Sequence, residues 1–206
     1  MEPSEFLQAI LPSEGCLAIV GIKNKKVRQL LVNDIPAALS AINTAAGNDE
    51  DVYFGCATFT TNANRKAENV RHIKSFWVDL DCGEGTAYAT HQEGWTALAA
   101  LCEATHLPAP IVVNSGGGLH VYWTMEEPIP VAVWSVYAKK LVELCAAAGV
   151  SIKDPGCSTD PARILRVPGT LNYKLDEPRK VQQLCLGAVT PWVTLKGIIE
   201  TACTER

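Results

Sequence analysis

The heptapeptide Ser75-Phe-Trp-Val-Asp-Leu-Asp81 constrains the fold of this chain more than any other stretch. Its aromatic and β-branched residues favour a strand. A period of two then sends Phe76, Val78 and Leu80 to one face and Trp77, Asp79 and Asp81 to the other. Such a strand presents two carboxylates on one face, starting about 7 Å apart along the chain. Left bare, they repel and raise one another's pKa, and a divalent cation removes that penalty. Hard oxygen ligands that leave room for water and phosphate suit Mg²⁺ or Mn²⁺. The plainer reading is a strand that ends in a solvated acidic turn.

Around this strand the periodicity alternates between helix and sheet. Phe6, Leu7, Ile10 and Leu11 recur at helical spacing, as do Ile35, Leu39 and Ile42 behind Asp34 as N-cap and Pro36 in the first turn. Trp95, Leu98, Cys102 and Thr105 predict a helix stopped by Pro108, and Trp134, Tyr137, Leu141 and Leu144 one that ends near Gly149. Strands are expected over 51–59, 111–114, 119–124, 164–167 and 181–186. Hairpins mixed with helices point to an α+β or mixed-sheet domain rather than an all-parallel one.

Two further stretches carry chemistry. In Asn114-Ser115-Gly116-Gly117-Gly118-Leu119-His120-Val121-Tyr122-Trp123 the glycines let backbone approach a ligand, and their N–H groups can form an anion-binding concavity. The following strand returns His120 and Tyr122 to one face, where His120 can donate to a phosphate oxygen. A glycine-rich hairpin with a half-buried histidine is the alternative. No Lys-Ser/Thr follows the glycines, so this is not a P-loop. The third stretch, Asp154-Pro-Gly-Cys-Ser-Thr-Asp160-Pro-Ala-Arg163-Ile-Leu-Arg166, continues through Thr170 and Asn172 to Lys174. Arg163 and Arg166 can clamp phosphate, and an acid can complete a metal site; a surface ion pair of Asp160 with Arg163 is the rival. Together the three stretches suit two-metal phosphoryl transfer.

Composition sets limits. The 206 residues are 48% aliphatic, aromatic and Cys and 19% charged, which excludes wholesale disorder and suits one domain. A net charge of −4 leaves nucleic-acid binding to local basic patches, of which 60–75 is one, with Arg65, Lys66, Arg71 and Lys74 against Glu68. A solvated loop is the competing explanation. No apolar run approaches the ~20 residues of a membrane span, and no secretory signal is visible, so a cytoplasmic location is expected. The eight cysteines lie at least 12 residues apart, without a CxxC pair, so reduced and mostly buried thiols are expected, and no zinc.

The ordered triple of DLD, SGGGLHVYW and TDPARILRVPGTLNYK resembles the three motifs of the archaeo-eukaryotic primase superfamily. The likeness is to its primase-polymerase branch in plasmid and phage replication proteins, and it is densest over 65–174. It implies an archaeo-eukaryotic primase-like core in which an RRM-like unit with the acidic and histidine strands is packed on an N-terminal α/β lobe. One catalytic domain over 1–206 follows, with the lobe at 1–60, the motif-bearing unit at 61–190 and a C-terminal tail at 191–206. Matched by motif, Asp79, Asp81 and Asp160 are the metal ligands of a two-metal Mg²⁺ or Mn²⁺ site, with Asp154 a rival for the third place. His120, with Ser115, Gly116, Gly117, Gly118, Arg163, Arg166 and Lys174, would receive the nucleotide.

The implied activity is a DNA primase or DNA polymerase that adds nucleoside triphosphates to a 3′-hydroxyl on a single-stranded DNA template. Its partners would be template, primer strand and nucleotides, with a helicase module or protein as a further one. A metal-dependent nuclease and a non-catalytic replication-initiator module stay open as rivals.

Overall fold

The computed structural model describes residues 2–204. In chain order these form α1 (Pro3–Ile10), β1 (Leu17–Lys23), β2 (Lys26–Val32), α2 (Ile35–Gly47), β3 (Asp51–Gly55), β4 (Thr58–Phe59), β5 (Val70–Asp81) and α3 (His91–Thr105). Then come β6 (Ile111–Asn114), β7 (Gly118–Pro130), α4 (Val131–Ala147), α5 (Pro155–Thr159), β8 (Ile164–Arg166), β9 (Leu171–Asn172), β10 (Arg179–Lys180), β11 (Gln182–Cys185), β12 (Val189–Thr190) and α6 (Trp192–Thr204). The class is α+β, as the alternating periodicities imply. Among the described residues no helix is long and apolar enough to cross a membrane.

Two main sheets carry the fold. The first has the order β11-β6-β7-β5-β4, with β12 added in parallel to β7. Within it β5-α3-β6-β7-α4 is the β-α-β-β-α run of an RRM-like unit, its strands in the spatial order β6-β7-β5. The second sheet, β2-β1-β3-β8, is antiparallel throughout and carries α2 against β1 and β3. Phe6 on α1 fastens the two sheets: its ring meets Phe54 of β3 at 5.5 Å and Tyr122 of β7 at 5.6 Å, edge-on in both cases.

Local signals explain most elements. Asp34 accepts the Ala37 N–H at 2.8 Å and so caps α2. Thr90 caps α3 by accepting from Glu93 N, and α3 ends with His106 in the left-handed region at φ 58°. Beyond its short pairing with β4, β5 has an open edge, which would leave backbone groups bare. Trp134 of α4 covers it, donating its indole N–H to Ser75 O at 3.0 Å and stacking on Trp77 at 4.7 Å. The Trp77 indole in turn donates to Cys157 O in the middle of α5.

The structure departs from the expected layout in three places. The strand expected over 51–59 breaks at Cys56–Ala57, and its halves enter different sheets. The lobe expected at 1–60 is completed by β8, which pairs with β3, while β4 joins the motif-bearing sheet. The expected tail is the helix α6, whose Leu195, Ile199 and Ala202 lie in the core; Glu205 and Arg206 lie outside the described residues.

Candidate active site

The β5–β7 ladder places Asp79 directly opposite His120 and Asp81 opposite Gly118. Residues opposite each other in an antiparallel pair share a face. Asp79, Asp81 and His120 therefore project together into a cleft of about 280 Å³, whose walls include Tyr53, Ser115, Gly117, Arg163, Arg166, Asn172 and Lys174. Strand alternation and one long-range antiparallel register, reached across α3 and β6, suffice to build this centre from two segments some 40 positions apart.

Its electrostatics are those of paired acids under a cationic rim. Burial and the Asp79 charge raise the Asp81 carboxyl above its ordinary range, while Lys153, Arg163 and Lys174 pull it back. Arg163 Nη2 stands 3.9 Å from Asp79 Oδ2, and Lys153 Nζ 3.8 Å from Asp81 Oδ2. His120 is almost fully buried, with Nε2 3.7 Å from Asp79 Oδ1 and its buried Nδ1 without a hydrogen-bond partner. Burial lowers its pKa against the pull of Asp79, favouring the neutral ring with one N–H to donate.

Asp79 and Asp81 suit a hard divalent cation. They are carboxylates, they stay partly open to the cleft, and their mutual repulsion is the kind a cation relieves. Among the described residues no group of three or more His, Cys, Asp and Glu gathers as a cation site. Asp160 does not line the cleft: its Oδ1 accepts from Ala162 N at 2.9 Å inside its own turn. Asp154 is the N-cap of α5, accepting from Gly156 N and from the Cys157 thiol. A site on Asp79 and Asp81 alone leaves the remaining positions to water and phosphate, which is the usual Mg²⁺ arrangement.

The glycine turn is more occupied than its composition suggests. Ser115 N donates to Gly118 O at 2.9 Å and Gly116 N to Asn114 Oδ1 at 2.8 Å, so neither N–H is free for an anion. Gly116 has φ +88°, which disfavours other residues, and its place is crowded by Arg179 and Asn172. Gly118 is needed for the sheet: a Cβ there would fall 2.2 Å from Leu80 O. Gly117 alone lines the cleft and has open space around it.

The basic residues separate. Arg163 and Lys174 reach the cleft. Arg166 lies beneath it, buried, donating to Asp51 Oδ1 at 2.5 Å with its guanidinium 4.7 Å from the Tyr53 ring centre, so it does not face a ligand freely. Arg65 clamps its loop to Ala162 O and Gln29 Oε1. Arg71 pairs with Glu14 at 2.8 Å, Lys66 approaches Glu68 at 4.0 Å, and Lys74 lines a different groove, with Leu11, Asn33 and Glu126. The four therefore form no single basic track.

No family model matches the sequence. A curated replication protein from Clostridium perfringens is 27% identical over 171 residues, which is 73% of this chain and 39% of that protein. The chain thus spans about two fifths of that relative. Among solved structures, the AEP domain of the cyanophage S-2L primase-polymerase matches at a TM-score of 0.65 and 16% identity, over 90% of this chain and 89% of that one. The catalytic domain of primase RepB′, solved with initiator DNA, matches at 0.59 and 17% identity, over 100% and 95%. The polymerase domain of Mycobacterium tuberculosis ligase D, solved with DNA, matches at 0.51 and 16%, over 91% and 69%. The chain has the primase-polymerase fold.

Within the primase-polymerase fold of this chain, two cleft residues, Tyr53 and Asn172, and one residue beside the cleft, Lys153, escaped the motif reading. Lys153 lies in a loop with no motif of its own, and only the chain's return beside β5 brings it to Asp81. Tyr53 belonged to an expected strand, with nothing local to mark it as facing a cleft. Asn172 stood inside the third stretch, and its signal was there to be used: a small polar residue next to Lys174 that the fold buries.

Proposed function

We propose that this chain is a template-directed nucleotidyltransferase of the DNA primase or DNA polymerase type. The observation that carries the reading is the convergence of Asp79, Asp81 and His120 with Arg163, Lys153 and Lys174 around one cleft. Its similarity in fold to a phage primase-polymerase, to primase RepB′ and to a ligase polymerase domain supports the same reading.

In this reading Asp79 and Asp81 would hold Mg²⁺ or Mn²⁺ as a two-cation site. The cations would make a primer 3′-hydroxyl more acidic and neutralise charge on the phosphates. The hydroxyl oxygen attacks the α-phosphorus and releases its proton to water, a new P–O bond forms, and the bond from the α-phosphorus to the bridging oxygen breaks so that pyrophosphate leaves. His120, neutral in its buried place, donates its N–H to a phosphate oxygen. Arg163 turns from Asp79 to the phosphates, and Lys174 and Lys153 meet the charge growing on the leaving pyrophosphate. The buried wall of Tyr53, Arg166 and Asn172 keeps these groups in place. A single-stranded DNA template and a primer strand are the macromolecular partners.

Incubation of the chain with labelled nucleotides, Mn²⁺ and a primed single-stranded template tests this. Extension of the primer is expected, with de novo products on unprimed template if the chain also starts strands. Degradation of the primer would make it a nuclease, and retention of DNA without chemistry a binding module; either outcome overturns the proposal.

A further inference from the structure

Asp51 is a buried carboxylate that the reaction above does not use. It sits at the start of β3, 8% exposed, and its Oδ1 is shared by two donors from distant segments. One is the Arg166 guanidinium at 2.5 Å; the other is the backbone N–H of Tyr173 at 2.8 Å. Tyr173 follows β9 directly and opens the loop that joins β9 to β10, and the next residue is the cleft residue Lys174. The same hairpin is tied to the glycine turn by two more bonds. Asn172 Nδ2 donates to Ser115 O at 2.7 Å, and Arg179 Nη1 donates to Gly116 O at 3.2 Å. Asn172 Oδ1 also accepts the Lys174 N–H at 3.0 Å.

The hairpin strands themselves are two residues each, too short to hold a position unaided. Its placement therefore rests on these ties, on the Gly169–Val181 and Val181–Thr170 backbone bonds at its base and on an exposed bond from the Tyr173 hydroxyl to Asp49 Oδ1 at 3.2 Å; of them the one to Asp51 is charge-assisted and withdrawn from water, which makes it the strongest. We propose that Asp51 is a positioning residue for nucleotide binding. Its carboxylate fixes Arg166 in the cleft floor and the 171–180 hairpin at the rim, so that Lys174 faces the polyphosphate of an incoming nucleoside triphosphate. This rests on the nucleotidyltransferase reading and names a residue outside all three motifs.

Trypsin reads the hairpin directly, because Lys174, Arg179 and Lys180 lie in it. In Asp51→Ala, cleavage after these residues should quicken about ten-fold, and the KM for the nucleoside triphosphate should rise about ten-fold with kcat within about three-fold, the scale of one lost charge-assisted bond. Asp51→Asn keeps an acceptor for the Tyr173 N–H and should recover most of the protection against trypsin. Should Asp51→Ala fail to fold because Arg166 is left unpaired, Asp51→Ala/Arg166→Met removes both charges and is expected to show the same fast cleavage and raised KM. Unchanged cleavage or an unchanged KM in a folded variant overturns the positioning role. A wild-type chain that adds no nucleotide overturns the reading beneath it, a result the variants cannot imitate.

Discussion

Asp79 and Asp81 do different electrostatic work despite their shared strand. Asp79 is held between His120 and Arg163, whereas Asp81 is more exposed and answers to Lys153. Replacing either by Asn keeps shape and removes charge. Nucleotide addition should then fall by about 10² or more in single-turnover extension, while DNA retention is unchanged or improves as phosphate repulsion weakens. Normal extension rates in both variants would reduce the acidic strand to scaffold. The glycines divide in the same way. Gly118→Ala forces a methyl against Leu80 O and should cost about 1–3 kcal/mol in thermal or urea unfolding. Gly117→Ala enters open space and should melt within a degree or two of wild type, about the scatter of a neutral surface change.

At the scale of elements, the exposed side of β5 depends on α4. Trp134 supplies the missing partner for Ser75 O and a stacking surface for Trp77 and Phe76. Trp134→Phe keeps most of the stacking and loses the hydrogen bond, so denaturant unfolding should show a loss of about 1–2 kcal/mol. Trp134→Ala should lose about 3–5 kcal/mol and bring concentration-dependent aggregation through the uncovered strand edge. A Trp134→Ala chain as stable as wild type would mean that α5 alone protects the edge. The loop before β5 follows another logic: Arg65 is spent on Ala162 O and Gln29, so Arg65→Ala should lower the melting temperature rather than selectively weaken DNA retention.

The whole molecule carries a net charge of −4, and its basic residues are scattered among carboxylates instead of lined along one track. Single-stranded DNA should bind with a shallow salt dependence, worth about three or four phosphates. A slope above about eight would reveal a basic path that this arrangement does not display. All eight cysteines are free, and burial pushes Cys145 and Cys157 up to about 12 and Cys82 and Cys102 up to about 11. These four are thiols at neutral pH and poor nucleophiles. Melting curves with and without dithiothreitol should coincide, and a thiol-specific dye should label the exposed Cys203 first. Stoichiometric zinc by elemental analysis would overturn this account of the cysteines.

What the sequence determined by itself follows from short-range periodicity. Alternation along 75–81 and 118–123 already placed Asp79 and Asp81 on one face and His120 with Tyr122 on another shared one. The N-cap at Asp34 and the hairpin around the glycines were equally local. Strand β2 was not legible because both its faces are largely exposed, so no buried stripe marks it. Helix α6 passed for a tail because its amphipathic pattern is weak and only its contact with α3, α4 and β7 gives it a core-facing side. The tertiary structure alone decided the register that sets Asp79 against His120 and the return that brings Lys153 to Asp81. It also made the bond from Arg166 to Asp51, 115 residues away. It withdrew Asp160 from the cleft and dispersed Arg65, Lys66, Arg71 and Lys74. A charged residue has no preferred partner until the backbone brings one within a few ångströms, so local spacing can name candidate ligands and cannot say which of them meet.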